Sequence, residues 1–279
     1  PVLMVAPMSS SSPQPVVPSE FTARVSKLGG AIFAGFLAVS FASSLWLLFS
    51  TKVPMLAPDL TPDEVLHGEV THRLAKQLSA AAVPQTAADL ERAASWLALH
   101  DTGARVRPGC AGWLFLTDEM RINRHAQVNA QTKAAAVRDI QQQLAGRGIR
   151  LLVAVVPDKS RIASAQLCDL RRPVQLQHRA MAWVEALNNA GVSALDLAPA
   201  LQSLGSEAYL RTDTHWSEAG ASAAAKAIAV RVQAMGVTAA PHKDYETALQ
   251  DLARRPGDLV RLAGLEWLPV GLQPAVESV

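Results

Sequence analysis

Dense clusters of basic charge and aromatic side chains are missing from this sequence, and their absence excludes one broad class of partner. The 279 residues carry a formal net charge of only +2, aromatic residues make up 5% of the chain, and no run of five lysines or arginines occurs. Proteins that bind nucleic acids usually present a basic surface with interleaved aromatic rings. We therefore expect no nucleic-acid partner.

Cysteine is equally scarce, with Cys110 and Cys168 as the two examples. Two cysteines are too few for a disulfide-rich scaffold, and they lack the paired spacing of a zinc site. If this part of the chain is exported, an oxidising environment permits a disulfide between them, and two buried free thiols are the alternative. The sequence leaves both open because it contains no distances.

A long segment without charge is present instead. Residues 28–51 contain no charged side chain, and about 24 helical residues are enough to cross a hydrocarbon core of ~30 Å. A cleaved signal peptide has a shorter apolar core followed by a small-x-small cleavage site, whereas the apolar run here continues through LWLLFS. We predict a transmembrane signal-anchor at 28–51, with a signal peptide and a buried helix as alternatives.

The charges that flank this segment predict its orientation. Basic residues precede it and acidic residues dominate after it: Arg24 and Lys27 come before, and Lys52, Asp59, Asp63 and Glu64 come after. The positive-inside rule places the N-terminus in the cytoplasm and the rest of the chain outside. Residues 1–27, which begin with a stretch rich in serine and proline, predict a disordered cytoplasmic tail.

Residues 52–104 predict a helical linker region. A first helix over 61–80 opens with a capping signal, because Thr61 can cap it, Pro62 suits its first position and Glu64 completes a capping box. A second helix is predicted over 86–101, and Pro84 is expected to separate the two.

Residues 105–279 alternate between strand-like and helical patterns. The β-branched apolar run 149–156 is typical of a central strand covered on both faces, and a second run, 192–195, ends just before Asp196. Helices are predicted over 132–147, 174–190 and 217–235. This alternation predicts a three-layer α/β fold with a mainly parallel sheet, whose site lies at the carboxyl ends of the strands.

The segment YLRTDTHWSEAGA, residues 209–221, contains the most informative pair of side chains. Asp213 and His215 lie two positions apart, where a carboxylate can hold an imidazole in one tautomer and stabilise its cationic form. Such a histidine is a competent base toward a serine hydroxyl. An ordinary helix start is the alternative interpretation, with Ser217 as the N-cap and Glu218 complementing the helix dipole.

Metal and cofactor sites are not expected. Asp213 and His215 would supply only two ligands of a metal site, and the other histidines are scattered along the chain. No glycine-rich phosphate loop follows a strand, which is evidence against a nucleotide cofactor.

Four motifs occur in a fixed order in the second half of the chain. They are GWLFLTDE at 112–119, VVPDKSRI at 155–162, YLRTDTHWSEAGA at 209–221 and GDLVRLAGL at 257–265. Together they resemble the alginate O-acetyltransferase family of the AlgJ and AlgX type. The resemblance implies an SGNH-hydrolase-like acetyltransferase domain at 105–279, and the single N-terminal anchor is more similar to AlgJ than to the secreted AlgX.

The resemblance also implies a mechanism, a site and a location. A serine accepts an acetyl group as an ester and passes it to a hydroxyl of an exported, alginate-like polysaccharide. In this chain Asp213 is the expected orienting residue and His215 the general base, while Lys159, Tyr209 and Trp216 are expected to bind substrate. A polytopic membrane O-acyltransferase is the implied acetyl source. The implied location is the cell inner membrane, single-pass, with the C-terminal domain in the periplasm.

The sequence departs from this family at the nucleophile. Family members carry a serine segment such as G-T-S-Y-S or G-D-S-F after the Asp-x-His motif, and no such segment precedes Val279, so the domain is expected to be incomplete. Ser160, Ser217 and Ser278 are poor substitutes. Two further hypotheses therefore stay open: a non-catalytic exported partner that binds polymer or an acyltransferase, and an exported esterase or unrelated α/β domain.

Overall fold

The computed structural model describes residues 26–50, 61–237, 246, 248 and 252–279, with side-chain burial left out for 47–50. The chain divides into two compact units, Pro1–Pro84 and Gln85–Val279. Nearly all of the tail predicted at 1–27 lies outside the described residues, as does Thr51 at the end of the predicted anchor.

The first unit contains the predicted apolar helix. Helix α1 spans Lys27–Ser50, and its stretch Lys27–Trp46 has a mean hydropathy of 1.8 with no residue buried. By length and composition this helix can cross a membrane, a test that a signal sequence near the N-terminus also passes. The structure thus confirms a helix at the predicted position.

The helix predicted over 61–80 is divided in two. Helix α2 spans Pro62–Leu66 and helix α3 spans Glu69–Ser79. Gly68 between them has a φ of +78°, a left-handed conformation that interrupts a right-handed helix and that glycine adopts without steric cost. The predicted start is confirmed, because Thr61 and Glu64 form the reciprocal capping box.

Helix α4 spans Ala82–Leu99 and begins four residues before the predicted position. The expectation that Pro84 separates two helices is wrong. Pro84 lies in the first turn of α4, where its missing N–H would have no partner inside the helix anyway.

The remaining elements are short apart from three helices. The helices are α5 (Ala126–Ala145), α6 (Lys159–Ile162), α7 (Arg179–Asn189), α8 (Ala198–Gln202), α9 (Glu218–Ala234) and α10 (Asp258–Leu262). The strands are β1 (Val106–Pro108), β2 (Leu114–Leu116), β3 (Val153–Val155), β4 (Ala194–Asp196), β5 (Arg254–Arg255) and β6 (Glu277–Ser278).

Strand pairing agrees with the sequence prediction at one place. Strands β3 and β4 are parallel, with Val153 opposite Ala194 and Val155 opposite Asp196. The pairs β1–β2 and β5–β6 are antiparallel. Within the described residues β3–β4 is the one parallel pair, so a mainly parallel sheet stays a prediction. The strand expected over 149–156 is shorter than predicted, since β3 pairs three residues with the three residues of β4.

Apolar clusters on the two sides of the β3–β4 pair form much of the core. One joins Leu187 of α7 to Ala134 of α5 and to Val192, and the other joins Ile162 and Leu201 to residues of α9. A third cluster packs α10 against β1 and β2. The loop between α8 and α9 lies beside α10, because the N–H of Leu259 donates to the carbonyl of Thr212 at 3.1 Å.

A disulfide between Cys110 and Cys168 resolves the alternative that the sequence left open. The two sulfur atoms are bonded, with Cα atoms 5.1 Å apart. The bond joins the turn before β2 to the segment after α6, and the backbone N–H of Cys110 also donates to the carbonyl of Gln166 at 2.8 Å. Trp113 and Phe115 pack against the same region.

Replacing both cysteines by serine should lower the free energy of unfolding by about 4 kcal/mol, since the chain-entropy model assigns that value to a cross-link across 58 residues. Denaturant unfolding of the detergent-solubilised chain measures this. A reducing agent should destabilise the unmodified chain to a similar extent and leave the double variant unchanged. Equal stability of all forms would contradict the prediction.

Candidate active site

The loop from Tyr209 to Trp216 is closed at its base like a hairpin. Tyr209 and Trp216 form a bridge, and the N–H of Leu210 donates to the carbonyl of His215 at 3.2 Å. Ser217 follows as the N-cap of α9, and its Oγ accepts from the N–H of Gly220 at 3.1 Å. The helix-start interpretation is therefore confirmed, and it coexists with the Asp-His pairing.

Asp213 is buried and its carboxylate accepts four hydrogen bonds. Oδ1 accepts from Nδ1 of His215 at 2.6 Å and from the N–H of His215 at 3.0 Å. Oδ2 accepts from Arg255 at 3.0 Å and from the N–H of Asp258 at 3.1 Å. Four donors are the full complement of a carboxylate, so the charge is stabilised despite its burial.

The pKa of Asp213 reflects this environment. Burial alone would raise the pKa of this carboxyl, but the hydrogen bonds from the His215 side chain, from the backbone of His215 and Asp258, and from Arg255 outweigh burial and hold the pKa far below its ordinary value. Asp213 is therefore an anion at any physiological pH, as an orienting residue for a histidine must be.

His215 is the exposed member of the pair. Its side chain is 72% exposed while that of Asp213 is 1% exposed, and Nδ1 is the nitrogen that faces the carboxylate. The other nitrogen, Nε2, therefore belongs to the part of the ring that a reacting hydroxyl can reach. A fixed tautomer with an accessible second nitrogen is the arrangement of a general base.

Two further residues complete the site, and sequence reasoning missed both. Asp258 has Oδ2 at 3.5 Å from Nδ1 of His215, and its carboxylate accepts from the N–H of Thr214 at 2.7 Å and from the Thr214 hydroxyl. Arg255 pairs with Asp213 from strand β5. The motif GDLVRLAGL contains Asp258, but its role depends on a contact that spans more than forty residues.

The carboxylate oxygens of Asp213 and Asp258 are arranged for hydrogen-bond donors rather than for a metal ion. Ligand atoms of Asp213, His215 and Asp258 lie within 4.8 Å of one another. The oxygens of both carboxylates, however, accept from N–H or O–H donors of this chain, the environment of an anion paired with an imidazole. A metal ion bound there would displace donors that already satisfy the carboxylates.

Two of the three residues predicted to bind substrate are buried. Lys159 is 1% exposed and Tyr209 is 5% exposed. The Tyr209 hydroxyl donates to the carbonyl of Pro157 at 2.5 Å, and burial raises the pKa of that hydroxyl. This differs from the prediction of substrate contact, because the polar atoms of both side chains are committed to backbone carbonyls. Trp216 is half-buried, and its substrate contact stays a prediction.

The serines considered as nucleophiles are placed elsewhere. Ser160 is fully buried, and its N–H donates to Glu119 at 2.7 Å. Ser217 donates its hydroxyl to the carbonyl of Glu207 at 2.5 Å. No hydrogen bond between a serine hydroxyl and His215 occurs among the residues that the structure describes, so the structure assigns no nucleophile.

A parallel strand pair flanked by helices, with a buried aspartate holding an exposed histidine before a helix, agrees with the SGNH-hydrolase-like domain that the four motifs imply. The sequence agrees, because residues 106–279 match the SGNH hydrolase-like domain of the acetyltransferase AlgX, and the chain belongs to this family.

Comparison with individual proteins gives the same result. The chain is 26% identical over 253 residues to the probable alginate O-acetylase AlgJ of Pseudomonas aeruginosa, covering 89% of this chain and 63% of that protein. It is 31% identical over 170 residues to the Pseudomonas putida AlgJ, covering 60% and 44%. The solved O-acetyltransferase domain of Pseudomonas putida AlgJ superposes with a TM-score of 0.56 at 28% identity, covering 63% of this chain and 64% of that one. The chain thus spans less than two thirds of these relatives.

Replacing Asp213 by asparagine should make the free energy of unfolding less dependent on pH in the acidic range. A carboxyl whose pKa is depressed on folding stabilises the protein above the unfolded-state pKa of 3.8, and this stabilisation is lost as the pH falls below about 4. The Asp213→Asn chain should be the less stable form at pH 7, with the difference shrinking in acid. Denaturant unfolding across a pH series measures it, with the exposed Asp139→Asn as control. A difference that does not vary with pH would contradict the prediction.

Gly257→Ala should disturb the site through the backbone. A Cβ at Gly257 would lie 2.1 Å from the carbonyl oxygen of Thr212, so α10 must move away from the loop. We expect a loss of about 1–3 kcal/mol in unfolding free energy. Gly271→Ala is the matched control, since a Cβ there meets nothing within 4 Å. Equal unfolding free energies of the two variants would show that the close approach is unimportant.

Proposed function

We propose that this chain is a membrane-anchored O-acetyltransferase that acts in the acetylation of an exported, alginate-like polysaccharide. One observation carries the proposal: the 2.6 Å hydrogen bond between a buried Asp213 and an exposed His215, in a domain whose family is that of an acetyltransferase. The names of the relatives, alginate O-acetylase, supply the substrate class.

The proposed reaction is a double displacement through a serine ester. His215 removes the proton of a serine hydroxyl as its oxygen attacks the acetyl carbonyl of the donor, and the proton then passes to the departing donor group. A sugar hydroxyl next attacks the serine ester while His215 accepts its proton, and the serine recovers that proton as it leaves. Asp213 stabilises the imidazolium formed in each half-reaction.

The serine itself is part of the proposal. In the family it lies downstream of the Asp-x-His motif, and the chain matches only part of its relatives' length. We propose that this serine belongs to the same domain, which has three layers and a mainly parallel sheet. Neither a metal nor an organic cofactor takes part in the proposed chemistry.

The proposed location is the periplasmic side of the inner membrane. Helix α1 is apolar enough to be the anchor, and the Cys110–Cys168 disulfide suits an oxidising compartment. Acetyl groups would then be delivered by a polytopic membrane O-acyltransferase, because cytoplasmic donors do not reach that side.

A non-catalytic role is the second candidate. The position of Ser160 inside the domain and the engagement of Ser217 with Glu207 leave His215 without a serine partner among the described residues. A protein of this kind would keep the fold to bind the polymer or the acyltransferase.

Deleting the gene in the organism that makes this chain should reduce the O-acetyl content of its exported polysaccharide, measured by NMR of the purified polymer. Complementation with the unmodified gene should restore acetylation, whereas His215→Ala should not, because the base is lost. His178→Ala, at the exposed N-cap of α7, is the control that should restore it.

Three outcomes separate the candidates. Restoration by the unmodified gene alone supports the enzyme. Restoration by both the unmodified gene and His215→Ala supports the binding role. Unchanged acetylation after deletion overturns both.

A further inference from the structure

Lys159 is a buried charged side chain that the proposed chemistry does not use. It is the first residue of α6, it is 1% exposed, and its ammonium group donates three hydrogen bonds. The acceptors are the carbonyl oxygens of Leu114 at 2.7 Å, Arg211 at 2.7 Å and Asp213 at 3.0 Å. An ammonium group has three protons, so its hydrogen-bonding capacity is fully used inside the protein.

The three carbonyls belong to two separate parts of the domain, strand β2 and the loop from Tyr209 to Trp216. Leu114 lies on β2, and its N–H also donates to the carbonyl of Arg211 at 3.0 Å. Arg211 and Asp213 lie on either side of Thr212 in the loop from Tyr209 to Trp216. Lys159 therefore holds against β2 the backbone of Asp213, the residue whose carboxylate accepts from His215.

The surroundings of Lys159 make its charge tolerable in the interior. Its Nζ lies 5.1 Å from the ring centre of Trp113 and 5.2 Å from that of Phe115, within the range of cation–π attraction. The carboxylates that act on the ammonium are those of Glu119, Glu277, Asp213 and Asp258. Burial lowers the pKa of Lys159 to about 8, and these carboxylates oppose that shift.

Glu277 holds Thr212, the residue between Arg211 and Asp213. Its carboxylate accepts from the N–H of Thr212 and, at 2.9 Å, from the Thr212 hydroxyl. The N–H of Leu259 donates to the carbonyl of Thr212 at 3.1 Å. The backbone from Arg211 to Asp213 is thus held by donors and acceptors on both sides, with Lys159 as the one group that binds two of its carbonyls.

We propose that Lys159 is a positioning residue, which acts through the backbone of Arg211 and Asp213 to set the Asp213–His215 hydrogen bond. Its catalytic consequence rests on the proposed function, but its effect on the imidazole does not. A lysine kept only for packing would be replaceable by methionine, because a buried ammonium costs more desolvation than an apolar side chain of similar volume. Methionine here would leave the carbonyls of Leu114 and Asp213 without the donor that holds them.

The tautomer of His215 is a direct readout of this role. In the unmodified chain the carboxylate should hold the neutral imidazole with its proton on Nδ1, whereas a freed histidine shifts toward the Nε2–H form. Two-dimensional ¹H–¹⁵N spectra of the detergent-solubilised chain, labelled with ¹⁵N-histidine, distinguish the two forms. We expect Lys159→Met to move His215 toward the Nε2–H form.

Leu187→Ala is the matched control for lost stability. Leu187 is fully buried in a different apolar cluster, so the variant should lower the melting temperature and leave the His215 tautomer unchanged. If Lys159→Met fails to fold, Lys159→Gln decides the matter, since its amide keeps two N–H donors and should give a smaller shift in the same direction. A His215 tautomer like that of the unmodified chain, in whichever of these variants folds, overturns the proposal.

The catalytic consequence is measured separately. Polymer acetylation in the complemented deletion strain should fall about 10- to 100-fold with Lys159→Met at equal protein level. A displacement of a catalytic group by up to about 1 Å has an effect of this size. The spectra need neither acetyl donor nor polymer. If Lys159→Met shifts the His215 tautomer but the unmodified chain shows no acetylation activity, the proposed function is wrong and the positioning role stands.

Discussion

The buried carboxylate of Asp213 imposes a requirement that distant parts of the domain meet together. A carboxylate removed from water stays ionised only if donors replace its hydration. Two of its four donors come from His215, which is local, and two come from Arg255 and Asp258, which follow it by more than forty residues. The short elements β5 and α10 therefore supply half of the donors that keep the carboxylate ionised.

The same requirement explains the close packing of backbone around the loop. Gly257 allows α10 to approach within contact of Thr212, and the N–H of Leu259 satisfies the Thr212 carbonyl. On the opposite side Lys159 binds the carbonyls of Arg211 and Asp213. Contacts on two sides therefore restrict the conformational freedom of the loop.

Buried charges in this region cost stability and contribute a defined geometry. Lys159 and Glu277 are both buried, and apolar residues of similar size would be cheaper to desolvate. Each instead satisfies backbone groups of the Tyr209–Trp216 loop that lie outside regular secondary structure. The disulfide between Cys110 and Cys168 ties the turn before β2 to the segment after α6. It therefore links covalently the region of α6, which carries Lys159, to the region of β2, which carries one of its acceptors.

Features that arise within a few residues were determined by the sequence alone: the capping box of Thr61 and Glu64, the Ser217 cap of α9 and the pairing of Asp213 with His215. Each depends on backbone neighbours whose geometry the local pattern already specifies. Only the tertiary structure decided that Arg255 and Asp258 complete the site and that Lys159 lies beneath it. These contacts join residues more than forty positions apart, and their distances depend on how the elements pack, which the order of residues along the chain does not contain.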